Sequence, residues 1–199
     1  TDQAAFTESS PVSTFNSGNQ ILLNASGSLQ IDNRILTYMD NQWKAENEFS
    51  WSDLTGKTNV TAVYPVYPDL DYVQENLYKN NSLEDILYVK DEFPAGNSIH
   101  LQFKHLFSLL TLHLEGNLQT YFQKIEVTCP AVSSIIPKSA EIVLADNGTH
   151  TTTIAQVSPS GNYSFIVPPV KNMVIAINMV TNGKKYTTQL ETKSFTGNK

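Results

Sequence analysis

Few groups in this sequence could carry chemistry: four histidines, one cysteine and a handful of neighbouring carboxylates. His105 falls on the apolar side of its alternating run, so a metal ligand or a general base is one reading of it. A metal site would need a second ligand on the same face at a nearby strand position. His100 and His113 fall on the polar side of their runs, and His150 stands beside a turn signal. His105 therefore reads as a core histidine whose ring nitrogens bond to backbone or side-chain groups. The carboxylate pairs Asp69/Asp71, Glu84/Asp85 and Asp91/Glu92 are neighbours in sequence. Glycoside hydrolysis needs two carboxyls held about 5–10 Å apart across a cleft, which adjacency does not provide, and "DLDY" lacks the ladder of an EF-hand loop. These acids read as solvated loop residues. Cys129 is in phase with Ile125 and Val127, with no base nearby, and reads as a buried structural thiol. No G-x-S-x-G, G-x-G-x-x-G, Walker or H-E-x-x-H pattern occurs. The sequence thus points away from an enzyme and names no catalytic residue, metal or cofactor. Tyr64, Tyr67 and Tyr72, with Tyr78 beyond, crowd one segment. They are the candidate ligand-binding residues, as an aromatic platform; the plainer reading is packing beneath a long loop.

The composition sets the class. Of 199 residues, 40% are hydrophobic, enough for a core, and only 16% are charged, below the roughly 25% of average soluble domains. Thr, Ser, Asn, Tyr and Val fill the gap, as in exported β proteins. The net charge of −6 and a single arginine, Arg34, argue against a nucleic-acid surface, which needs clustered Lys and Arg. With only Cys129 present, no internal disulfide can form.

The elements that must position these residues are strands. The most apolar stretch, "IHLQFKHLFSLLTLHLEG" (99–116), carries too many polar residues for a membrane span of about 20 apolar ones. Leu101, Phe103, His105 and Phe107 share one face; Leu110, Leu112 and Leu114 share another after a change of parity near Phe107–Leu109. That pattern predicts two strand halves joined by a bulge or kink, the alternative being a helix through 103–110. "ILTYM" and "QWKAE" predict a hairpin turning at Asp40-Asn41, and "TNVTAVYPVYP" a strand ended by Pro65 and Pro68. "SLEDILYVKDE" reads as a helical turn or a short strand. "AEIVLA" and "THTTTIAQVS" flank "DNG" at 146–148, a hairpin signal, and "NG" at 182–183 is another. The strands group into an N-terminal β-sandwich over 1–116 and a C-terminal one over 117–199, giving an all-β protein of two tandem sandwich domains.

Taken in order, these pieces resemble a known family. "FNSGNQILL", "QW" at 42–43 with Trp51, "NVTAVYPVYP", "EDILYVKD", the "FKH"-containing apolar stretch, "YSFIVPPV" and "KKYTTQL…SFTGNK" are similar to the ordered motifs of the fimbrillin-like surface pilins and adhesins of Bacteroidetes. The resemblance runs from Phe15 to Lys199. It implies transthyretin-like (Greek-key) sandwiches and a protein of the cell surface, outer membrane or fimbrium. It implies export as a lipoprotein through a precursor lipobox outside this chain, and other fimbrial subunits as partners, joined by strand addition after an N-terminal segment is trimmed. The alternative is a non-polymerising surface module that binds a host glycan or protein. Two departures stand out. The family's further strand after "F..GK" is expected to be missing here. Trimming follows an arginine in the family, yet Arg34 lies inside a predicted strand, so either trimming has already occurred or this is a tip or accessory subunit.

Overall fold

The computed structural model describes residues 14–47, 56–94, 99–115, 122–157, 161–169, 174–181 and 183–191. Trp51, the Gly116–Asn117 boundary and "SFTGNK" lie outside the described residues. The fold is all-β, as the composition and alternation predict. Strands β1 (Gln20–Gly27), β2 (Ile31–Met39), β3 (Gln42–Ala45), β4 (Thr58–Tyr64), β7 (Leu87–Phe93) and β8 (Lys104–His105) form one antiparallel sheet in the order β3-β2-β1-β4-β7-β8. A short helix α1 (Gln74–Leu77) and a small hairpin, β5 (Tyr78–Lys79) with β6 (Ser82–Leu83), lie between β4 and β7. "SLEDILYVK" is thus strand at both ends and not helix. Strands β10 (Phe122–Ile136), β11 (Glu141–Val157), β13 (Val174–Thr181) and β14 (Lys184–Glu191) form a second sheet, β11-β10-β13-β14. Strands β9 (Ser108–Leu114) and β12 (Gly161–Val167) pair with each other as a separate layer.

Local chemistry accounts for the turns. Met39 pairs with Gln42, and Asp40 and Asn41 take φ of 52° and 60°, the mirror-image turn that Asn and Asp tolerate. Thr181 of β13 pairs with Lys184 of β14, and Gly183 ahead of β14 takes φ 75°. The expected turn at "DNG" is corrected by the structure. Pro130 pairs with Thr149 and Val132 with Leu144, so residues 145–148 form a bulge opposite Ala131 inside one long strand. Asn147 supplies a positive φ of 54°, and a Cβ on Gly148 would lie 2.7 Å from the Ala145 Cβ. The chain instead reverses at Pro137–Ala140, where the proline fixes φ and Ala140 N–H donates to Pro137 O at 3.4 Å. The same local signal serves a bulge or a turn; the partner strand's register decides between them.

The parity change in 99–116 also has a definite cause. Ile99, Leu101 and Phe103 are half-buried against one face of the six-stranded sheet without pairing in it. β8 then adds to the edge of that sheet through Leu87↔His105. Leu106 and Phe107 turn into the core, and β9 pairs with β12 in the other layer. The kink is where the chain leaves one sheet for the next.

Both faces of the six-stranded sheet are covered, which explains why β1 is buried at five consecutive positions, Ile21 to Ala25. Ile21, Leu23, Val60 and Ala62 face a cluster with Ile31, Leu36 and Val89. On the opposite face, Leu22 and Val63 join Tyr67, Tyr72, Leu77, Ile86 and Phe107. The same cluster contains Val132 and Ile135 of β10 and Ile166 of β12. The β10–β11 hairpin is therefore shared: its base pairs with β13 over Lys124–Thr128, and its distal part packs on the first sheet.

Candidate functional site

The core around β9 lies between unequal layers: two strands, β9 and β12, face four. Register fixes the side chains that meet between them. Leu110, Leu112 and Leu114 of β9, opposite Phe165, Tyr163 and Gly161 of β12, point inward. They meet Ile125, Val127 and Cys129 of β10, Ile154 and Val157 of β11, and Ile175 and Ile177 of β13. Phe165, Ile125 and Ile175 are fully buried. Burying side chains of this size is worth about 1.5–3 kcal/mol each, which holds the layers together at their centre.

Among the described residues, cover thins toward β14. Leu190 pairs with Ile175, Thr188 with Ile177 and Tyr186 with Met179, so all three stand on the core side of the sheet. Only Leu190 is partly buried in the core; Thr188 is exposed, and Tyr186 is 51% exposed. Among the described residues no strand pairs with the far edge of β14, nor with the outer edges of β9 and β12. Such edges carry rows of backbone N–H and C=O groups free to pair with another strand. On the outside of the two-stranded layer, His113 is pinned to Asn162 Oδ1 at 2.6 Å and to Glu115 at 3.1 Å. Lys184 and Lys185 at the start of β14 are exposed. The arrangement offers hydrogen-bonding edges over an apolar rim.

The residues that sequence alone offers for chemistry are placed elsewhere, and those that meet do so in structural contacts. Tyr64 is half-buried, its ring 5.3 Å from that of Phe15 and edge-on to it. Tyr67 and Tyr72 are 5% and 2% exposed, and their rings meet edge-on at 5.0 Å. The Tyr72 hydroxyl donates to Pro65 O at 2.8 Å, and that of Tyr67 donates to the Glu84 carboxylate. Burial pushes both phenols well above their ordinary range. The two deeper rings thus pack beneath the loop, the edge of one against the other, within the buried core. Tyr78 stacks on His150 at 4.0 Å and accepts from Val132 N–H, which ties the small hairpin to β10 and β11.

His105 is half-buried. Its Nδ1–H donates to the Asp85 carboxylate at 2.9 Å, and Asp85 is 6% exposed. This is the satisfied histidine its position predicts, tying β8 to the residues before β7. The carboxylate pairs are divided among separate tasks. Glu84 accepts from Tyr67 and from Lys79 at 2.7 Å, Glu92 pairs with Lys57, and Asp69 and Asp71 are exposed. Cys129 is buried, and desolvation pushes its thiol up to about 11, the setting of a structural cysteine. Among the described residues no group of three or more His, Cys, Asp or Glu could hold a metal ion. Arg34 is half-buried inside β2, opposite Leu23. No described helix is long and apolar enough to cross a membrane.

Comparison with known proteins bears on this arrangement. A family model described as fimbrillin-like matches residues 5–199. No curated protein matches the chain at a significant level. Among solved structures, a protein of Bacteroides uniformis provisionally described as a cell adhesion protein superposes with a TM-score of 0.65. It shares 12% identity, over 96% of this chain and 88% of that one. A fimbrial protein of Bacteroides ovatus superposes with a TM-score of 0.51 at 14% identity, over 92% of this chain and 42% of its own. At such identities the likeness speaks for the fold.

Proposed function

The chain belongs to the fimbrillin-like family, and on that premise we propose that it is a cell-surface subunit of a fimbria, or a fimbria-associated adhesin, that assembles by accepting a β-strand from a neighbouring subunit. The observation that carries this reading is the uncovered core side of β14, where Tyr186 is 51% exposed although register assigns it to the interior face. A strand laid beside the two-stranded β9–β12 layer would cover that rim, and its backbone would pair along a free edge. Such a joint takes its affinity from main-chain hydrogen bonds and its specificity from alternate side chains entering pockets. The same reading divides the chain into two sandwich units and places the mature protein outside the cell with a lipid anchor supplied by its precursor.

The test is the variant Tyr186→Lys. The site is half-exposed, so the fold should lose no more than about 0.5–1 kcal/mol. In the wild type, a synthetic peptide of alternating Val and Thr at a hundredfold excess over its Kd should stabilise by about 2.7 kcal/mol. For a chain of this size that is a rise in Tm of about 5–10 °C. The variant should show little rise, and cells producing it at full length should carry fewer surface fibres. If peptide leaves both melting curves unmoved and fibre number is unchanged in the variant, strand addition at this rim is wrong.

A further inference from the structure

The six-stranded sheet, which does not include β14, holds a second feature. Pairing registers align cross-strand rows over β1, β4 and β7 on the face that packs against the hairpin: Leu22–Val63–Tyr88, then Asn24–Thr61–Lys90, then Ser26–Asn59–Glu92. The first row lies in the shared core. The next two are polar and form the floor of a cleft of about 460 Å³, within the size range of small-molecule sites. Its roof is the turn of the β10–β11 hairpin, held down at both ends. On one side Lys138 donates to Asp32 of β2 at 2.7 Å, and on the other Lys90 donates to Ser139 O at 3.3 Å. The floor is firm: Asn24 is 6% exposed, and its Oδ1 accepts from Asn33 N–H at 2.9 Å, which fixes the orientation of the amide. Among the described residues its Nδ2 has no acceptor, and the side chains of Ser26, Asn59 and Thr61 have no partner.

We propose that this cleft binds a neutral, polyhydroxylated ligand, a saccharide unit, between the hairpin turn and the Asn59–Thr61 floor. The choice follows by elimination. An anion would meet Asp32, Asp91 and Glu92, and a cation would meet Lys90 and Lys138. An apolar molecule would strip water from amides and hydroxyls without replacing their hydrogen bonds. A sugar hydroxyl both donates and accepts, which suits a lining where ammonium, amide, hydroxyl and carboxylate alternate over a few ångströms. The lining has no aromatic ring to stack on, so affinity should rest on hydrogen bonds and be weak. The proposal does not depend on strand addition, because the cleft and the open rim lie on different sheets.

Saturation-transfer NMR on the full chain tests it, with galactose and N-acetylglucosamine presented free and as methyl glycosides, the latter standing for the end of a glycan chain. At least one should give transfer. Asn59→Ala, at an exposed position, should then lower affinity about fivefold, the worth of one neutral hydrogen bond. Lys184→Ala on β14 should leave affinity unchanged, and circular dichroism should confirm that both variants fold. No transfer from any of the sugars, an Asn59→Ala variant that binds like wild type, or tighter binding of glucuronate than of the neutral sugars would each overturn the proposal.

Discussion

Replacing Ile135 by alanine tests whether the two halves of the molecule share one core. Ile135 sits on the distal part of β10, 4% exposed, in a cluster that contains Leu22, Val63 and Phe107 of the N-terminal half. Its own N–H donates to Tyr72 O at 2.9 Å, a bond that the substitution keeps. Loss of the side chain therefore removes apolar packing and little else. Ile→Ala at buried sites costs about 2–5 kcal/mol; a middle value of about 3 converts to a fall in Tm of about 6–12 °C for a chain of this length. The assay exploits where the tryptophans lie. Trp43 and Trp51 both belong to the first half, so their fluorescence follows that half alone, whereas far-ultraviolet circular dichroism follows the strands of both. If the hairpin welds the halves together, a change in β10 lowers the fluorescence and dichroism midpoints together, by the same amount. If the fluorescence midpoint stays and only part of the dichroism moves, the halves unfold independently, and the shared-core argument fails.

Alkaline pH should destabilise the protein in a defined window. The buried Cys129 thiol has its pKa pushed up to about 11 in the fold. Its contribution is fully present below the unfolded pKa, near 9, and is lost as pH rises through the folded value, at no more than about 1.4 kcal/mol per pH unit. Tyr67 and Tyr72, also raised by burial, extend the loss above pH 10, and urea midpoints in Cys129→Ala between pH 8 and 11 should fall less steeply than in wild type. A pair of glycines separates backbone strain from steric clash. Gly18 (φ 92°) has open space where a Cβ would go, whereas at Gly27 (φ 129°) a Cβ would lie 2.6 Å from Lys57 O. Gly18→Ala should cost the strain of about 1–3 kcal/mol, and Gly27→Ala visibly more; equal losses in urea denaturation would contradict the close approach of β1 to the start of β4.

Strand positions were legible because alternation is a local property. Leu101 and Phe103 against Gln102 and Lys104, then Leu110 and Leu112 against Thr111 and His113, mark two faces and a slip between them. That the slip carries the chain from one sheet to another was not legible, since nothing in residues 105–109 names the partners Leu87 and Val167. "DNG" shows the same limit. An Asn that accepts positive φ and a Gly that needs no Cβ serve a hairpin or a bulge equally well, and the register of β10 selects the bulge. His105 and Cys129 could be read from phase alone, being core-side positions on strands. The tyrosines could not: Tyr67 and Tyr72 lie in a loop without periodicity, and their burial depends on the hairpin and α1 that close over them. The polar cleft had no sequence signal at all, because its floor takes alternate residues from three strands and its roof comes from a turn more than forty residues further along the chain.

An open rim is a liability unless something limits what can pair with it. In this chain the limit lies in the residues of β14. Lys184 and Lys185 open the strand, and Thr187, Thr188 and Gln189 follow, all exposed; charge and weakly apolar side chains discourage flat pairing between identical edges. The core side differs, for there Tyr186 and Leu190 border an apolar interior that contains Ile175, Ile177 and Phe165. A strand that pairs by backbone alone gains little against the ordering entropy of its residues, about 1–2 kcal/mol each. One that also delivers alternate apolar side chains to this rim gains burial of about 25 cal/mol per Å². On the proposed reading, discrimination between a cognate subunit and a chance edge rests on that second contribution. On that same proposed reading, the rim could stay open in a free subunit because the shared core around Leu22, Val63, Val132 and Ile135 holds the molecule folded without it.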